Sequence, residues 1–321
     1  MEIEPMNDSL SRRQLLATTL AVGAAAAFRP MPAVKADQKE GGAPKIAGFT
    51  KSFQDWSIPE VCRRFKEIGL DGLDLTVRSN GHINPDKDNV HQELKQAARV
   101  AGDAGVEILF LTTDITRPDA RAEEVLAAAE AIGVRRIKLG YYKYKGFGDL
   151  KKQVDAVKMQ LNEVGQLCAR YNVLPCVHIH SGADIPSDGF MLYELLRDID
   201  PGHVAAYVDS LHMTLEGARD GWRQALDLLA PWVELCSIKN FQFKEEGRDE
   251  HGQLQWDNFN CPVADGITPM PKFMEVMKAI NFSGVYSMHS EYKGGGSFKN
   301  LSTEGCLAQT DADLKFLRSI M

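Results

Sequence analysis

Apolar and polar positions follow a repeating order along the chain from about residue 45 onward. Each repeat has a short apolar run, a polar loop and a longer stretch in which apolar residues recur at helical spacing. The pattern predicts eight strands, at residues 45–50, 72–77, 106–112, 136–141, 174–180, 204–209, 234–239 and 284–291. Helical segments such as SIPEVCRRFKEIG and AEEVLAAAEAIG separate the strands and end in Ile-Gly, which is typical of a helix C-cap.

This alternation of strand and helix implies right-handed crossovers and a parallel sheet, either closed or open and doubly wound. Eight units favour closure. No strand-to-helix turn carries the G-x-G-x-x-G of a dinucleotide site, and Gly294-Gly295-Gly296 follows the last predicted strand. We therefore predict an α/β protein, a (β/α)8 TIM barrel forming a single domain over residues 45–321. In such barrels the active site lies at the carboxyl ends of the strands.

The first 36 residues have a different composition. Arg12 and Arg13 precede an Ala-rich apolar stretch at residues 17–28, and small residues near Ala36 offer a cleavage site. The stretch is shorter than the roughly 20 residues that a membrane-spanning helix needs. It predicts a twin-arginine signal peptide over residues 1–36 and a linker over 37–44, with an ordinary N-terminal anchor as the alternative. We expect an exported, periplasmic protein with no stable membrane anchor after cleavage.

Charge and cysteine content narrow the function classes. The net charge is −7 and no long run of Lys or Arg is present, which argues against a nucleic-acid partner. The six cysteines include no C-x-x-C pair, so neither a zinc ribbon nor a disulfide framework is indicated. We expect buried free thiols. The sequence does not indicate an oligomeric state.

Histidines and carboxylates gather at the predicted carboxyl ends of the strands. His178 and His180 lie two positions apart on the fifth predicted strand, and they share the parity of Cys176, so both are expected to face the barrel interior. Asp209 closes the sixth strand, and His212 follows three residues later in what we predict to be a loop. The structural alternatives are hydrogen-bonded core histidines and an aspartate that caps the following segment.

The last predicted strand adds His289 and Glu291 on one face. A buried carboxylate is costly unless it is paired, protonated or bound to a metal. Neutral imidazoles together with carboxylates suit a divalent ion, which could be Mn, Zn, Co or Fe. The sequence therefore predicts that groups from strands five, six and eight converge on one site.

Two lysines and two connecting segments belong to the same predicted face. Lys138 and Lys239 would be costly in a barrel wall unless they serve an anionic or hydroxyl-rich partner or a proton transfer; alternatively they extend past the strand ends into solvent.

The turn-rich segment 78–85 contains His82. Residues 242–268 are too long for a simple connection and predict a lid or a substrate wall, with a disordered excursion as the alternative.

Taken in order, the motifs DLTVRSNGHINP, VHIH, VDSLH, SIKN and MHSEY resemble the xylose isomerase-like superfamily of barrels. That superfamily contains sugar phosphate isomerases and epimerases and, more distantly, endonuclease IV. The resemblance covers about residues 45–320. It implies a divalent metal held by a Glu on strand five, an Asp on strand six, a His on strand seven and a Glu on strand eight.

The match to that ligand set is incomplete. Asp209 and Glu291 stand where the Asp and the last Glu belong, and His212 matches the His of the D-x-x-H corner. His178 stands at the position of the strand-five Glu, with His180 as the following His of the family. Ser237 replaces the strand-seven His.

The resemblance implies a metal-dependent sugar isomerase or epimerase that moves a proton next to a carbonyl of a sugar or keto-sugar. Because one of the two expected carboxylate bases is replaced, we expect a one-base reaction. The catalytic residues would be Glu291, His178 and Lys239, and the metal ligands His178, Asp209 and Glu291. The groups expected to contact the carbohydrate are His82, Lys138, His180, His212 and His289.

Three alternatives stay open. The first is a lyase or hydratase of an oxidised sugar on the same barrel. The second is a non-catalytic periplasmic sugar-binding barrel that has lost its metal, which the serine at position 237 makes reasonable. The third is an endonuclease IV-like hydrolase, which the negative net charge and the count of only eight histidines disfavour.

Overall fold

The structure is a computed structural model that describes residues 43–87 and 89–321. The predicted signal peptide, residues 1–36, and most of the predicted linker, residues 37–42, lie outside the described residues. Export and the domain boundaries at residues 36 and 44 therefore stay predictions. Within the described residues, no helix is long and apolar enough to cross a membrane.

Twelve strands form in the described part of the chain. Their bounds are β1 Lys45–Phe49, β2 Gly72–Thr76, β3 Glu107–Thr112, β4 Arg136–Lys138, β5 Tyr142–Lys143, β6 Leu174–His178, β7 Asp184–Ile185, β8 Ala205–Asp209, β9 Val233–Ile238, β10 Asn240–Arg248, β11 Leu254–Cys261 and β12 Val285–Met288. Eight of them close into a parallel barrel in the order β1-β12-β9-β8-β6-β4-β3-β2. The predicted eight-stranded barrel is confirmed.

Helices follow the barrel strands. They are α1 Ile58–Ile68, α2 Val90–Ala104, α3 Ala120–Ala131, α4 Leu150–Ala169, α5 Gly189–Leu196, α6 Ser210–Gly217, α7 Gly221–Leu229, α8 Met270–Ala279 and α9 Thr303–Ile320, and a short 3-10 helix, Thr50–Phe53, follows β1. The expected Ile-Gly ending is present in α1, where Gly69 adopts a left-handed φ of 86° and its N–H bonds to the carbonyl of Lys66.

Two apolar cores surround the strands, one on each side. A large core lies between the barrel wall and the helices, and a small core fills the barrel interior. On β8 the interior residues are Ala205 and Tyr207, so Asp209 at the strand's end has the same parity and points the same way. Cys176 of β6 also belongs to the interior core, which fixes the inward direction of His178.

The structure defines one connecting segment and corrects one local prediction. Residues 242–268 do not form a disordered excursion, because β10 and β11 pair as an antiparallel hairpin that carries the exposed side chains Phe243 and Trp256. The role of this hairpin as a lid or a substrate wall stays a prediction. His212 does not lie in a loop but in the first turn of α6, directly after β8. All six cysteines lie in the described part of the chain and are free and buried, as the sequence indicated.

Two glycines give a matched test of how tightly the strands pack. A methyl group at Gly72, in β2, would overlap the carbonyl oxygen of Glu107 on the neighbouring strand. A methyl group at Gly102, inside α2, would meet no atom within 4 Å. We predict that Gly72→Ala lowers the free energy of unfolding by about 2 kcal/mol or more, whereas Gly102→Ala raises it by about 0.5–1 kcal/mol through helix propensity. Urea denaturation measures both, and equal effects of the two substitutions would contradict this packing.

Candidate active site

Polar side chains converge at the carboxyl ends of four adjacent barrel strands, β6, β8, β9 and β12. The parity of each strand places these groups over the barrel interior, and α6 adds one more group from its first turn. Residues with these positions are His178, Asp209, His212, Lys239 and Glu291. The structure thus brings together five of the residues that the sequence singled out, and their roles stay predictions.

The ammonium group of Lys239 lies at the centre of this cluster. Its Nζ is 3.4 Å from Oδ2 of Asp209, 3.3 Å from Oε2 of Glu291 and 2.8 Å from Nε2 of His212. The side chain is buried, so it does not extend past the strand end into solvent. Burial favours the neutral amine, but Asp209 and Glu291 more than offset it and raise the pKa of Lys239 above its ordinary value.

Asp209 uses its two carboxylate oxygens for different purposes. Oδ1 accepts the backbone N–H groups of Leu211 and His212, each at 2.9 Å, and so caps α6. Oδ2 faces Nε2 of His178 at 3.3 Å and Nζ of Lys239. The side chain is 0% exposed. Burial alone would raise its pKa, but the charge of Lys239 and the hydrogen bond from His178 hold that pKa well below the ordinary value. Asp209 therefore caps the following helix, as the structural alternative expected, and its chemical role stays a prediction.

His178 is held as a neutral imidazole with both ring nitrogens in use. Burial lowers its pKa to about 3. Because a carboxylate only accepts, Nε2–H donates to Asp209, and Nδ1 is left to accept the hydroxyl of Tyr141 at 3.2 Å. The ring also stacks on Tyr207, with 4.2 Å between centroids. These bonds fix the orientation and the tautomer of His178.

The tautomer of His212 follows from Lys239. An ammonium group can only donate, so Nε2 of His212 accepts from Lys239 and Nδ1–H donates to the hydroxyl of Ser181 at 2.7 Å. Burial, followed by the charge of Lys239, holds the pKa of His212 well below its ordinary value. His180 packs on this ring at 4.3 Å between centroids and places Nδ1 3.0 Å from Asp184.

Glu291 is the most accessible carboxylate of the cluster, with 18% of its side chain exposed. Oε2 faces Lys239, and Oε1 accepts a hydrogen bond from Lys51, which follows β1. Burial would raise its pKa, but the two ammonium groups hold that pKa well below the ordinary value. Glu291 is therefore a carboxylate, and a small part of its side chain stays accessible to solvent.

Three further predicted residues lie around the cluster rather than in it. His289 places Nδ1 4.0 Å from Glu291, bonds to Tyr207 at 2.8 Å and stacks on the ring of Phe49. Lys138 is 2% exposed, with Nζ 3.5 Å from the centroid of the Tyr141 ring. His82 is bonded through Nδ1 to Thr76, at the end of β2.

Sequence reasoning missed two residues that complete the cluster. Lys51 contacts Glu291, and Tyr141 contacts His178 and Lys138. Both had a positional signal. Lys51 follows the first predicted strand directly, and Tyr141 is the last residue of the fourth. The rule that strand ends carry function would have found them if it had been applied to every strand.

Comparison with known proteins identifies the family of the barrel. The model of the family described as xylose isomerase-like TIM barrel matches residues 62–320. The chain belongs to this family. A search of curated proteins gives no match. The family assignment confirms the fold that the motif order indicated.

Solved structures resemble the chain along most of its length. One is 3-keto-D-glucoside 4-epimerase from E. coli in its apo form, at 16% identity and a TM-score of 0.62, covering 86% of this chain and 99% of that one. Another is D-psicose 3-epimerase with D-tagatose from Clostridium cellulolyticum H10, at 14% identity and 0.64, with the same coverage. A xylose isomerase-like barrel protein from Mycobacterium smegmatis in complex with magnesium has 14% identity and a TM-score of 0.60, covering 86% and 97%. At these identities the likeness shows the fold.

The cluster of this family member does not fit a divalent ion as it is folded. Residues 43–87 and 89–321 contain no group of three or more His, Cys, Asp or Glu side chains placed to hold a metal. The predicted ligands Asp209 and Glu291 instead both face the ammonium of Lys239. His178 has no free lone pair, because Nε2–H donates to Asp209 and Nδ1 accepts from Tyr141.

Lys138 gives a pH-dependent test of this buried face. Burial lowers its pKa from 10.5 to about 7. Between these values the unfolded chain binds more protons than the folded chain, so stability rises with pH across the window. We predict that Lys138→Met is more stable than wild type by roughly 2–4 kcal/mol at neutral pH, with the difference shrinking as the pH rises toward 10.5.

The control for this prediction is Lys272→Met, at an exposed position of α8. Its effect on the free energy of unfolding should be small at every pH. Chemical denaturation across the pH range measures both variants. The same pH slope in wild type and Lys138→Met would show that Lys138 is not buried in this way.

Proposed function

We propose that the protein is a sugar-modifying enzyme of the isomerase or epimerase type, which moves a proton at the carbon next to a carbonyl of a sugar or keto-sugar. The observation that carries the proposal is the pairing of Glu291 with Lys239, 3.3 Å apart, at the mouth of the barrel. One group can accept a proton, and the other can stabilise the negative oxygen that forms when the proton leaves.

The roles follow from the charge of each group. Glu291 is the more accessible carboxylate of the cluster, and it removes the proton from the carbon next to the carbonyl. The resulting enediolate carries its negative charge on oxygen, and the positive charge of Lys239 stabilises it. The hydroxyl proton of the adjacent carbon passes to the enediolate oxygen, and Glu291 returns its proton to the former carbonyl carbon. The adjacent carbon then becomes the carbonyl, which completes the isomerisation. Neutral His180 is suited to hydrogen bonding with sugar hydroxyls, whereas both ring nitrogens of His212 already bond to Lys239 and Ser181.

Epimerisation requires a second donor, because the proton must return to the opposite face of the same carbon. Tyr141 and His178 are the candidates for this second donor. Hydrogen bonds join Tyr141 to His178 and His178 to Asp209, and an ion pair joins Asp209 to Lys239. Tyr141 also lines a cavity of about 460 Å³ beside β5 and α4, but none of the five cluster residues lines that cavity.

We further propose that the protein acts outside the cytoplasm after export by the twin-arginine route. The support is sequence alone: adjacent Arg12 and Arg13 before a short Ala-rich apolar stretch. The proposed partner is a small carbohydrate. A cluster that balances its own buried charges is suited to a neutral polyol rather than to a nucleic-acid backbone.

Proton exchange with solvent tests the proposed reaction. The protein is incubated in D2O with a panel of aldoses, ketoses and keto-glycosides, and proton NMR follows the signal next to the carbonyl. We expect deuterium at that carbon together with a new isomer or epimer. Glu291→Gln should lower the exchange rate by about 100-fold or more, since it removes the base.

The matched control is Glu304→Gln, at an exposed position in the first turn of α9, which should leave the exchange rate unchanged. Sugar binding with no exchange for any member of the panel would contradict the proposal and favour a binding protein. Loss of water to give an unsaturated product would instead identify a lyase.

A further inference from the structure

The ammonium group of Lys239 lies between two residues that stand at metal-ligand positions of the family. The resemblance assigns Asp209 and Glu291 to carboxylates that hold a divalent ion. In this chain their inward oxygens, Oδ2 and Oε2, lie 3.4 and 3.3 Å from Nζ of Lys239. The same ammonium donates to Nε2 of His212 at 2.8 Å, so three groups share one small cation.

The other two ligand positions of the family carry a histidine and a serine in place of the glutamate and the histidine. His178, at the strand-five position, commits both ring nitrogens to Tyr141 and Asp209. Ser237, at the strand-seven position, is fully buried, and its Oγ has no hydrogen-bond partner among the described residues. In the barrel register Ser237 lies between Asp209 and Ser287, two positions before Lys239 on the same strand face.

We propose that the ammonium of Lys239 takes the place of the divalent ion in this barrel, and that the protein does not use a metal at this centre. The loss of the ligand at position 237 and the cation supplied at position 239 are then parts of one change. The positive charge moves from a bound ion to a side chain of the same strand. Asp209 and Glu291, the two buried carboxylates that need a nearby cation, keep the positions that they have in the family.

The charges of the cluster balance without an ion. Asp209 and Glu291 supply two negative charges, and Lys239 and Lys51 supply two positive ones. A divalent ion between the same oxygens would lie within a few Å of the Lys239 ammonium, in a buried site where repulsion between like charges is strong. Binding a metal would require Lys239 to leave the cluster.

The replacement also changes how a negative oxygen would be bound. An ammonium donates up to three hydrogen bonds but forms no coordination bonds. It therefore cannot chelate two substrate oxygens as a metal ion does. The role of Lys239 toward substrate rests on the proposed function. The replacement of the metal does not, because it concerns only the groups of the protein.

Metal binding, rather than turnover, tests this assignment. Purified wild type, Lys239→Ala and the double variant Lys239→Ala/Asp209→Asn are dialysed against chelator and titrated with MnCl2. Calorimetry gives the affinity, the EPR signal of free Mn²⁺ gives the stoichiometry, and thermal melting reports folding. Lys138→Met is the matched control, since it removes a buried lysine that does not contact Asp209 or Glu291.

We expect wild type and Lys138→Met to bind no stoichiometric Mn²⁺. Lys239→Ala should bind one ion per chain at least about 100-fold more tightly than wild type, with a rise in melting temperature that the double variant loses. Should Lys239→Ala not fold, Lys239→Gln carries the same expectation. One tightly bound ion in wild type, or no gain of affinity on removal of the lysine charge, would overturn the assignment, and either result leaves the proposed proton transfer standing.

Discussion

The structure of the site depends on how two carboxylates are compensated after burial in the barrel mouth. Asp209 is completely buried and Glu291 largely so. An isolated carboxylate in such a place would be protonated or would unfold its surroundings. Lys239 contacts both, and removing one member of a buried ion pair costs about 3–5 kcal/mol. This one ammonium group therefore sets the ionisation of its neighbours and the position of the groups that surround it.

The remaining groups follow from that arrangement. With Lys239 positively charged, His212 must accept from it and stays neutral, and with Asp209 negatively charged, His178 must donate to it. Tyr141 then donates to the remaining nitrogen of His178. Each donor hydrogen in the cluster has a single acceptor. Donor and acceptor are therefore defined for every contact between Tyr141 and Glu291. Such preorganised donors are what stabilisation of a developing negative oxygen requires.

Much of the fold and of the site could be predicted from the sequence, because two repeating patterns in it follow directly from backbone geometry. Strand and helix alternation gave the closed barrel, and side-chain alternation along each strand gave the inward direction of His178, Asp209 and Glu291. The hairpin of β10 and β11 was not predicted, because its strands carry charged residues on exposed faces and lack the apolar density of the barrel strands. The helix that contains His212 was missed because Asp209 acts as its cap as well as closing a strand.

The central position of Lys239 could not be predicted from the sequence. It depends on the reach of a long side chain across three strand ends, and strand order around a barrel does not give distances between side-chain atoms. Lys51 and Tyr141 were missed for the same reason, although both stand beside predicted strand ends. The residue types at the ligand positions of the family indicated a metal ion. The contacts of Asp209 and Glu291 indicate instead that the ammonium of Lys239 is their cation.

The most direct test is a crystal structure grown in MnCl2, with anomalous differences measured at the manganese edge. We predict no manganese peak among Asp209, Glu291 and His212, and the ammonium of Lys239 within hydrogen-bonding distance of all three. A manganese ion bonded to Asp209 and Glu291, with Lys239 turned away from them, would contradict the central claim.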